Sequence, residues 1–295
     1  MFLPVYLAAL AATVFYCLLP LIGAFSVRQQ WRQFRKSVTE AAVLPVFKGL
    51  ASVSEEPGRG LYRIQGEVDA IGGEFELWLT CQGTSCVVDL RDSWVYMITH
   101  GSGEDTVERR RWSNLTSVGP GARVFVAGSA CLRGGRILIG SAEKEQALVI
   151  LHDGDDDSLV RRAIWSGRHK NEYWNPVSQI SMALGAATMS IIVTQALPGR
   201  VPSLVAALTF AIACSPALSL LPPGVVGFLL YRRYWRQARY CRSRRDVALL
   251  ETDQLDSART WGRRAHGTTT ASMLALSGAL AVNGWLLVFL LRRFL

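Results

Sequence analysis

The chain has 295 residues, half of them hydrophobic, with a mean hydropathy of +0.21 and a formal net charge of +9. This composition is too apolar for an average soluble protein and too mixed for a bundle of membrane helices alone. Residues 38–176 carry 15 Lys and Arg against 19 Asp and Glu, a net charge of −4, so the positive excess lies beside apolar segments. A protein that tracks nucleic-acid phosphates needs the opposite distribution, which argues against nucleic-acid binding.

The apolar segment at the start of the chain, Leu3–Val27, predicts a membrane-spanning helix, since about 20 apolar residues can cross a bilayer. No lysine or arginine precedes this segment, whereas four basic residues follow it closely: Arg28, Arg32, Arg35 and Lys36. A cleavable signal peptide shows the reverse charge order, so we expect an uncleaved helix with its N-terminus outside. The helix is expected to continue along the interface from Gln29 to a linker at residues 40–45.

Residues from about 58 to 152 differ from the rest, because short runs of β-forming residues alternate with glycine-rich turns. This spacing predicts a small closed or partly open barrel of the OB type. The predicted strands are Leu61–Ile71, Phe75–Cys81, Cys86–Leu90, Trp94–Thr99, Arg123–Leu132, Arg136–Ile139 and Leu148–Leu151. A short helix is expected from the aspartates near residue 155 through Trp165. The arginines at 109–111 follow acidic residues and are expected in a solvated loop.

Three further apolar segments bring the number of predicted spans to about four. They are Val177–Leu197, Leu204–Tyr231 and Ser272–Leu291. In the first of them, Gly185 is small enough to let another helix approach closely. The second is too long for one straight span and contains Pro222 and Pro223, so it is either one kinked helix or a span followed by a separate helix. Residues 246–270 are polar and predict a loop or a short helix.

A dense run of arginines follows the third apolar segment and predicts an anchor at the cytoplasmic headgroups, with anionic lipid as its partner. The residues of this predicted lipid interface are Arg232, Arg233, Trp235, Arg236, Arg239, Arg242, Arg244 and Arg245. Together with the first basic cluster, this run predicts that the β domain is cytoplasmic and that the C-terminus is outside.

Two cysteines, Cys81 and Cys86, flank a predicted hairpin turn and could form a redox pair or part of a metal site. The alternative is two semi-buried thiols that stay reduced in the cytoplasm. Zinc needs four ligands, and the six cysteines form neither a metal-ligand framework nor the disulfide pattern of a secreted protein. The sequence also lacks the common hydrolase, nucleotide-binding and metalloprotease motifs.

A histidine and a tyrosine four positions apart, His169 and Tyr173, follow the predicted barrel. This spacing resembles the haem-attachment motif of the haem chaperones of cytochrome c maturation. The resemblance implies haem as a cofactor held by these two residues. The alternative is an exposed histidine beside aromatic residues at the membrane interface.

The layout of residues 60–175, followed by a span, resembles the GIDE-type domain of membrane-anchored ubiquitin ligases and their prokaryotic relatives. The residues that carry the resemblance are Ile64–Val68, Trp112, Leu115, Val118–Gly128 and Gly135–Ile137. The resemblance implies an OB-like module between membrane spans. No RING cysteines follow the module, so ligase activity does not carry over.

The sequence therefore predicts an α+β chain of five segments. They are a transmembrane helix with a basic linker (1–57), an OB-like domain with a short C-terminal helix (58–175), a transmembrane hairpin (176–231), a basic cytoplasmic segment (232–270) and a C-terminal transmembrane helix (271–295). We expect a multi-pass protein of the plasma (inner) membrane that acts as a non-enzymatic scaffold or assembly protein for a protein partner. We expect no cofactor, metal, nucleic acid or identifiable small-molecule substrate. The alternative is a haem-handling or other barrel-surface enzyme or chaperone that uses His169 and Tyr173.

Overall fold

The computed structural model describes residues 2–49, 60–72, 74–81, 83–91, 93–100, 105–115, 118–133, 135–140, 147–169, 175–196, 203–214, 221–250 and 254–294. The chain divides into two compact units. One unit comprises Met1–Gln30 and Asn171–Leu295 and is helical. The other comprises Trp31–Lys170 and contains all eight strands of the described residues. The chain is thus α+β, as the sequence predicts.

The strand-containing unit is built on a five-stranded closed barrel. Its strands are β1 (Leu61–Gly72), β2 (Glu76–Cys81), β3 (Thr84–Asp89), β6 (Arg123–Arg133) and β7 (Arg136–Gly140). The order β1–β2–β3–β7–β6 closes because β6 also pairs with β1. All of these pairs are antiparallel except β3 with β7. Closure leaves the barrel strands without free edges, which confirms the predicted barrel.

The remaining strands extend the sheet from one side of the barrel. They are β4 (Trp94–His100), β5 (Asp105–Arg111) and β8 (Leu148–His152), and β8 pairs with β6 and β4. The predicted solvated loop at 109–111 is therefore wrong. Val107 points inward and is fully buried, and the charged residues of β5 lie on the last strand of the sheet. Charged side chains protect such an edge from pairing with other chains.

The barrel interior is filled by aliphatic side chains that alternate with outward polar residues along each strand. Leu77, Leu79 and Val88 are fully buried at its centre, and Val124 and Ile139 face them from the other strands. A tryptophan, Trp112, closes one part of the core and donates its indole N–H to the carbonyl of Glu74 at 2.9 Å. Because burying each such aliphatic side chain contributes about 1.5–3 kcal/mol, this core is the main stabilising element of the unit.

The first helix, α1 (Leu3–Ala42), contains a π-helical turn at Thr13–Leu18. Its length confirms that the predicted first span continues as a helix beyond Gln29. In the second half of α1, Phe34 stacks on Tyr96 of β4 with ring centroids 4.2 Å apart. Arg35 donates a hydrogen bond of 2.9 Å to the carbonyl of Gly167. The second half of α1 is therefore packed on the sheet.

The helix after the barrel, α2 (Asp156–His169), packs its buried residues Leu159, Ala163 and Ile164 inside the same unit. Asp156 and Asp157 occupy its first turn, where negative charge is favourable. This agrees with the helix start that the sequence predicts.

In the helical unit, the first half of α1 packs against α3 (Pro176–Ala196). The Ser181 hydroxyl donates a 2.6 Å hydrogen bond to the carbonyl of Phe15, inside the π-helical turn. A Cβ on Gly185 would lie 2.8 Å from Tyr16 Cε1, so this glycine permits the close helix approach that the sequence predicts. Asn175 caps α3 by accepting the backbone N–H of Ser178 at 3.0 Å.

The predicted third apolar segment forms parts of two separate helices, α4 (Ser203–Ala213) and α5 (Pro222–Ala248). Leu221 has an extended backbone (φ −63°, ψ 146°), and Pro222 and Pro223 start α5. Proline is favoured in the first turn of a helix, where its missing N–H has no helical partner to lose. The structure therefore favours the second of the two alternatives for this segment, a separate helix after the prolines.

Helices α5 and α6 (Leu255–Phe294) form a long antiparallel hairpin. Small residues line its seam, and a Cβ on Gly227 would lie 2.9 Å from the carbonyl oxygen of Ala275. Further along, Arg242 Nη2 donates to Thr269 Oγ1 at 2.7 Å. The polar residues predicted to be a loop or short helix lie mostly within these two helices.

Two helices among the described residues are long and apolar enough to cross a bilayer, α1 and α3. Helix α4 is apolar but shorter. Only 11% of the apolar window of α1 and 22% of that of α3 is buried inside the structure. A core helix of a soluble protein would be mostly buried, so these exposed apolar surfaces point toward association with a membrane.

Candidate binding face of the barrel

An apolar row crosses the outer surface of three neighbouring barrel strands. Trp78 of β2 pairs with Val87 of β3, and Val87 pairs with Leu138 of β7. These residues have the outward parity of their strands, since Leu77, Val88 and Ile139 beside them point into the core. The row therefore places three apolar side chains on the outer side of the barrel, where most positions are polar; Trp78 and Leu138 are half-buried and Val87 is buried.

The tryptophan is held in place by its neighbours on this face. A Cβ on Gly72 at the end of β1 would lie 2.8 Å from Trp78 Cδ1, so only glycine leaves room for the indole. The guanidinium of Arg136 lies 5.2 Å from the centre of the Trp78 ring. This distance is within the range of a cation–π interaction.

Two arginines face each other where β6 turns into β7. Arg133 and Arg136 are directly paired across the hairpin, and both are exposed. The turn is tight, and Gly135 takes the left-handed conformation with φ +75°. No carboxylate among the described residues lies within ion-pair distance of either guanidinium. Like charges directly opposite on a hairpin are destabilising, so this pair costs stability in the protein alone.

Val87 and Leu138 of the row line a depression of about 510 Å³ together with Phe75 and the arginine pair, and Trp78 lies beside it under Arg136. Glu74, Glu76 and Asp89 lie on the same depression. Asp89 is already paired with Arg91 at 2.7 Å, and the hydrogen bond from Arg91 holds the pKa of this carboxyl below its usual range. The site thus combines an aromatic and apolar floor with two arginines that are not neutralised within the described residues.

A larger cleft of about 740 Å³ lies between the second half of α1 and the sheet. Its charged wall is Arg109, whose guanidinium lies 3.8 Å from the centre of the Trp94 ring. Phe34 and Tyr96 fill its base, and Lys36 pairs with Glu40 on its rim. Because Lys36 is paired with Glu40 and the guanidinium of half-buried Arg109 is covered by Trp94, this cleft is a weaker candidate than the barrel face.

A cluster of charged residues joins α2 to the sheet extension. Arg162 Nη2 lies 2.8 Å from Asp153 Oδ1 and 3.1 Å from Asp105 Oδ1. Asp105 also lies 2.9 Å from His100 Nδ1, and Asp153 accepts the backbone N–H of His100 at 2.7 Å. Burial raises the pKa of Asp105 and Asp153, but the hydrogen bonds from Arg162 outweigh it, so both pKa values lie below their usual range. These contacts fix the helix on the sheet.

The buried histidine of this region, His152, ends β8. Its side chain is fully buried, Nδ1 lies 3.0 Å from the carbonyl of Gly154, and Nε2 lies 3.4 Å from Asp156 Oδ1. Burial lowers the pKa of His152, so the neutral form is favoured. No group of three or more His, Cys, Asp or Glu side chains in the described part of the chain is arranged to hold a metal ion.

The thiols of Cys81 and Cys86 are free and buried in the barrel core. They lie on the interior side of β2 and β3, where Cys81 pairs with Thr84 and Cys86 with Leu79. Burial raises the pKa of Cys81, and burial together with the neighbouring Cys81 raises the pKa of Cys86 to about 12. Burial therefore favours the neutral thiol at both positions, which disfavours a nucleophilic role.

The predicted lipid-facing residues lie on α5 and begin directly after its apolar first part. Arg232, Arg233 and Arg236 are exposed and form no ion pair within the described ranges. The arginines further along α5 bond within the protein, for example Arg244 to the Tyr240 hydroxyl at 3.1 Å and Arg245 to Asp246 at 2.8 Å. Trp235 is buried in the hairpin, so it is not a surface residue.

The proposed haem ligands cannot be placed together. His169 is the last residue of α2, and its side chain lies outside the described part of the structure, as does all of Tyr173. The haem alternative therefore stays a prediction from the sequence.

Sequence reasoning missed the candidate face itself. Trp78, Val87 and Leu138 are brought into one row only by the strand pairing. The arginine pair is visible in the sequence, because Arg133 and Arg136 flank Gly134-Gly135, a glycine-rich turn between the predicted strands Arg123–Leu132 and Arg136–Ile139.

Comparisons with known proteins identify no relative of this chain. No family model, no curated protein and no solved structure matches it. The geometry of the residues therefore carries the functional argument.

Proposed function

We propose that this chain is a multi-pass membrane protein that presents an OB-like barrel to a protein partner, without catalysing a reaction. The observation that carries the proposal is the apolar row of Trp78, Val87 and Leu138 beside an arginine pair that lacks carboxylate partners among the described residues. A partly exposed apolar strip next to uncompensated charge is typical of an interaction site.

The helical unit supports the membrane part of the proposal. Large apolar residues are exposed on several of its helices, for example Tyr6 (71%), Ile180 (61%), Phe228 (52%) and Leu274 (66%). Exposing such apolar surfaces to water costs free energy, whereas contact with the hydrocarbon of a bilayer does not. We propose four membrane segments, formed by α1, α3, the helices α4 and α5 around the prolines, and the second half of α6.

The arginines support a position for the bilayer surface. Arg236 follows Leu230 by six positions, which is about 9 Å along a helix. The headgroup layer on each side of a bilayer is of similar thickness, about 5–8 Å. We propose that Arg232, Arg233 and Arg236 contact anionic headgroups on the cytoplasmic side of the plasma (inner) membrane. The barrel then lies in the cytoplasm and both termini lie outside.

The order of the barrel strands supports an OB-like module, since the five strands close as a Greek-key barrel with one parallel pair. In OB-folds, ligands bind the face of strands 2 and 3 with the loops of the adjoining hairpins. The candidate face of this chain occupies that position. Glu74, Glu76 and Asp89 on the same depression disfavour a nucleic acid and favour a polypeptide.

Photo-crosslinking in cells tests this proposal. A benzophenone amino acid in place of Glu76, an exposed residue of the face, is expected to give a discrete adduct with a cytoplasmic protein. Replacing Trp78 by alanine in the same chain should abolish this adduct, because the apolar row loses its largest member.

The matched control carries the benzophenone at Arg161, an exposed residue on α2. The proposal is wrong if benzophenone at position 76 gives no adduct or gives the same adducts as benzophenone at position 161. It is also wrong if the adduct at position 76 persists when Trp78 is replaced by alanine. An adduct with a protein that resides outside the cytoplasm would reverse the proposed orientation.

A further inference from the structure

We infer that the arginine pair and the apolar row bind an extended segment of the partner protein in which a carboxylate side chain stands two residues from an apolar one. The inference rests on the proposed function and specifies the chemistry of its partner.

The arginine pair lowers the stability of the hairpin in the protein alone. Arg133 and Arg136 are direct cross-strand neighbours at the end of a tight hairpin, and no described carboxylate neutralises them. Opposite charges at such a cross-strand pair would stabilise the hairpin, whereas two arginines repel each other. An external anion bound between them would offset this repulsion. Guanidinium groups bind a carboxylate through two parallel hydrogen bonds, which suits them to this role.

The spacing of Arg136 and Leu138 on β7 matches the repeat of an extended segment. Arg136 and Leu138 are two residues apart on one strand and share its outer face, which places them about 7 Å apart along the strand. An extended partner segment has the same repeat, so a carboxylate on Arg136 brings the side chain two positions away above Leu138 and Val87. Because half-buried Leu138 and Val87 give this part of the depression an apolar lining, an apolar side chain fits there best.

The charges around the arginine pair favour a single carboxylate over a polyanion. Asp89 is neutralised by Arg91, and Glu74 and Glu76 face the same depression. A polyanion that runs across the face would meet these carboxylates, whereas a single carboxylate docked at the hairpin would avoid them. One face of the Trp78 ring is also covered by Arg136, which leaves less of the ring for stacking on bases. A polypeptide is therefore favoured over a single-stranded nucleic acid.

Peptide selection on the full-length protein in lipid nanodiscs tests the inference. We expect a random dodecapeptide library, panned against the protein, to enrich sequences with Asp or Glu two positions from a large apolar residue. The affinity of the enriched peptide should fall about tenfold or more in the double variant Arg133→Gln/Arg136→Gln, since a hydrogen bond to a charged group is lost. The Arg161→Gln variant, which removes an exposed arginine of α2, should bind unchanged.

The outcomes separate the inference from the proposed function. Enriched peptides that lack the acidic residue, or that bind the double variant as well as the wild type, would overturn the inference, while the photo-adduct at residue 76 would still support a protein partner. Displacement of the peptide by an oligothymidylate at equal concentration would also overturn it in favour of a nucleic acid. If neither peptides nor a photo-adduct is obtained, the proposed function fails as well.

Discussion

Replacing Gly227 by leucine is expected to separate the two helices of the α5–α6 hairpin and to destabilise the helical unit strongly. A Cβ at this position would meet the Cβ of Ala279 and would lie 2.9 Å from the carbonyl oxygen of Ala275. Neither neighbour can turn away, because one is a backbone atom and the other is fixed to the backbone. Inserting side-chain atoms into packed sites costs about 1–3 kcal/mol, and we expect at least the upper end of this range.

The control for this substitution is Gly278→Leu on the facing helix. No atom lies within 4 Å of a Cβ built on Gly278, so the same change of side chain meets open space. The measurement is the temperature at which half of the detergent-solubilised protein has aggregated on heating. This temperature should fall clearly for Gly227→Leu and stay near the wild-type value for Gly278→Leu. Equal behaviour of the two variants would contradict the hairpin packing.

The second large effect is expected at Arg162, the residue that fixes α2 on the sheet. Its replacement by methionine leaves Asp105 and Asp153 without their shared cation. Hydrogen bonds to charged groups contribute about 1.5–3 kcal/mol each, and the partial exposure of Asp153 reduces this figure. We expect a loss of about 2 kcal/mol, or about 30-fold faster hydrogen exchange of the α2 amides.

This effect should depend on pH in a defined direction. Both carboxyls have folded-state pKa values below their usual value of 3.8, so they stabilise the folded state above that pH. The contribution is lost as the pH falls through the lower folded-state values. The difference in exchange between the wild type and Arg162→Met should therefore be constant near neutral pH and shrink below about pH 4.

The neighbouring substitution Arg161→Met serves as the control, because Arg161 is exposed on the same helix. It should leave the exchange of α2 unchanged. Exchange of the α2 amides in Arg162→Met that is as slow as in the wild type would show that the cluster does not hold the helix. Equally fast exchange in Arg162→Met and Arg161→Met would show the same.

The elements that sequence patterns predicted well are those with an uninterrupted signal. The apolar run after Leu3 and the basic residues that follow it specify one long helix, and α1 extends from Leu3 to Ala42. The glycine-separated runs of β-formers likewise specify the barrel strands. The strand β5 was missed because its inward residue, Val107, stands alone among charged side chains, and a single apolar residue does not establish an alternation.

The charged and polar residues after Asp246 predict a loop or short helix. The same stretch also contains small residues at helical spacing, which form the packed side of α6. Ala258, Gly262 and Ala265 recur on one face of α6, and two of them are buried in the hairpin. Small residues contribute little to a hydrophobic pattern, so the signal for a packed helix is weak even though the packing is close.

The candidate face could be predicted only in part. The Gly134-Gly135 turn and its flanking arginines are local features and are readable from the sequence. The row of Trp78, Val87 and Leu138 depends on the parallel pairing of β3 with β7, whose residues are far apart in the chain. The alternation of a strand indicates which residues share a face but does not identify the neighbouring strand.

The most direct test of the central claim, that the apolar helices lie in lipid, is extraction of membranes with alkaline carbonate. Membranes from cells that produce the full-length chain are washed, sedimented and probed for the protein. We predict that the whole chain stays with the sedimented bilayer, because exposed apolar surface on α1 and α3 cannot be released into water. Recovery of folded chain in the carbonate supernatant would contradict the membrane assignment and the topology proposed from it.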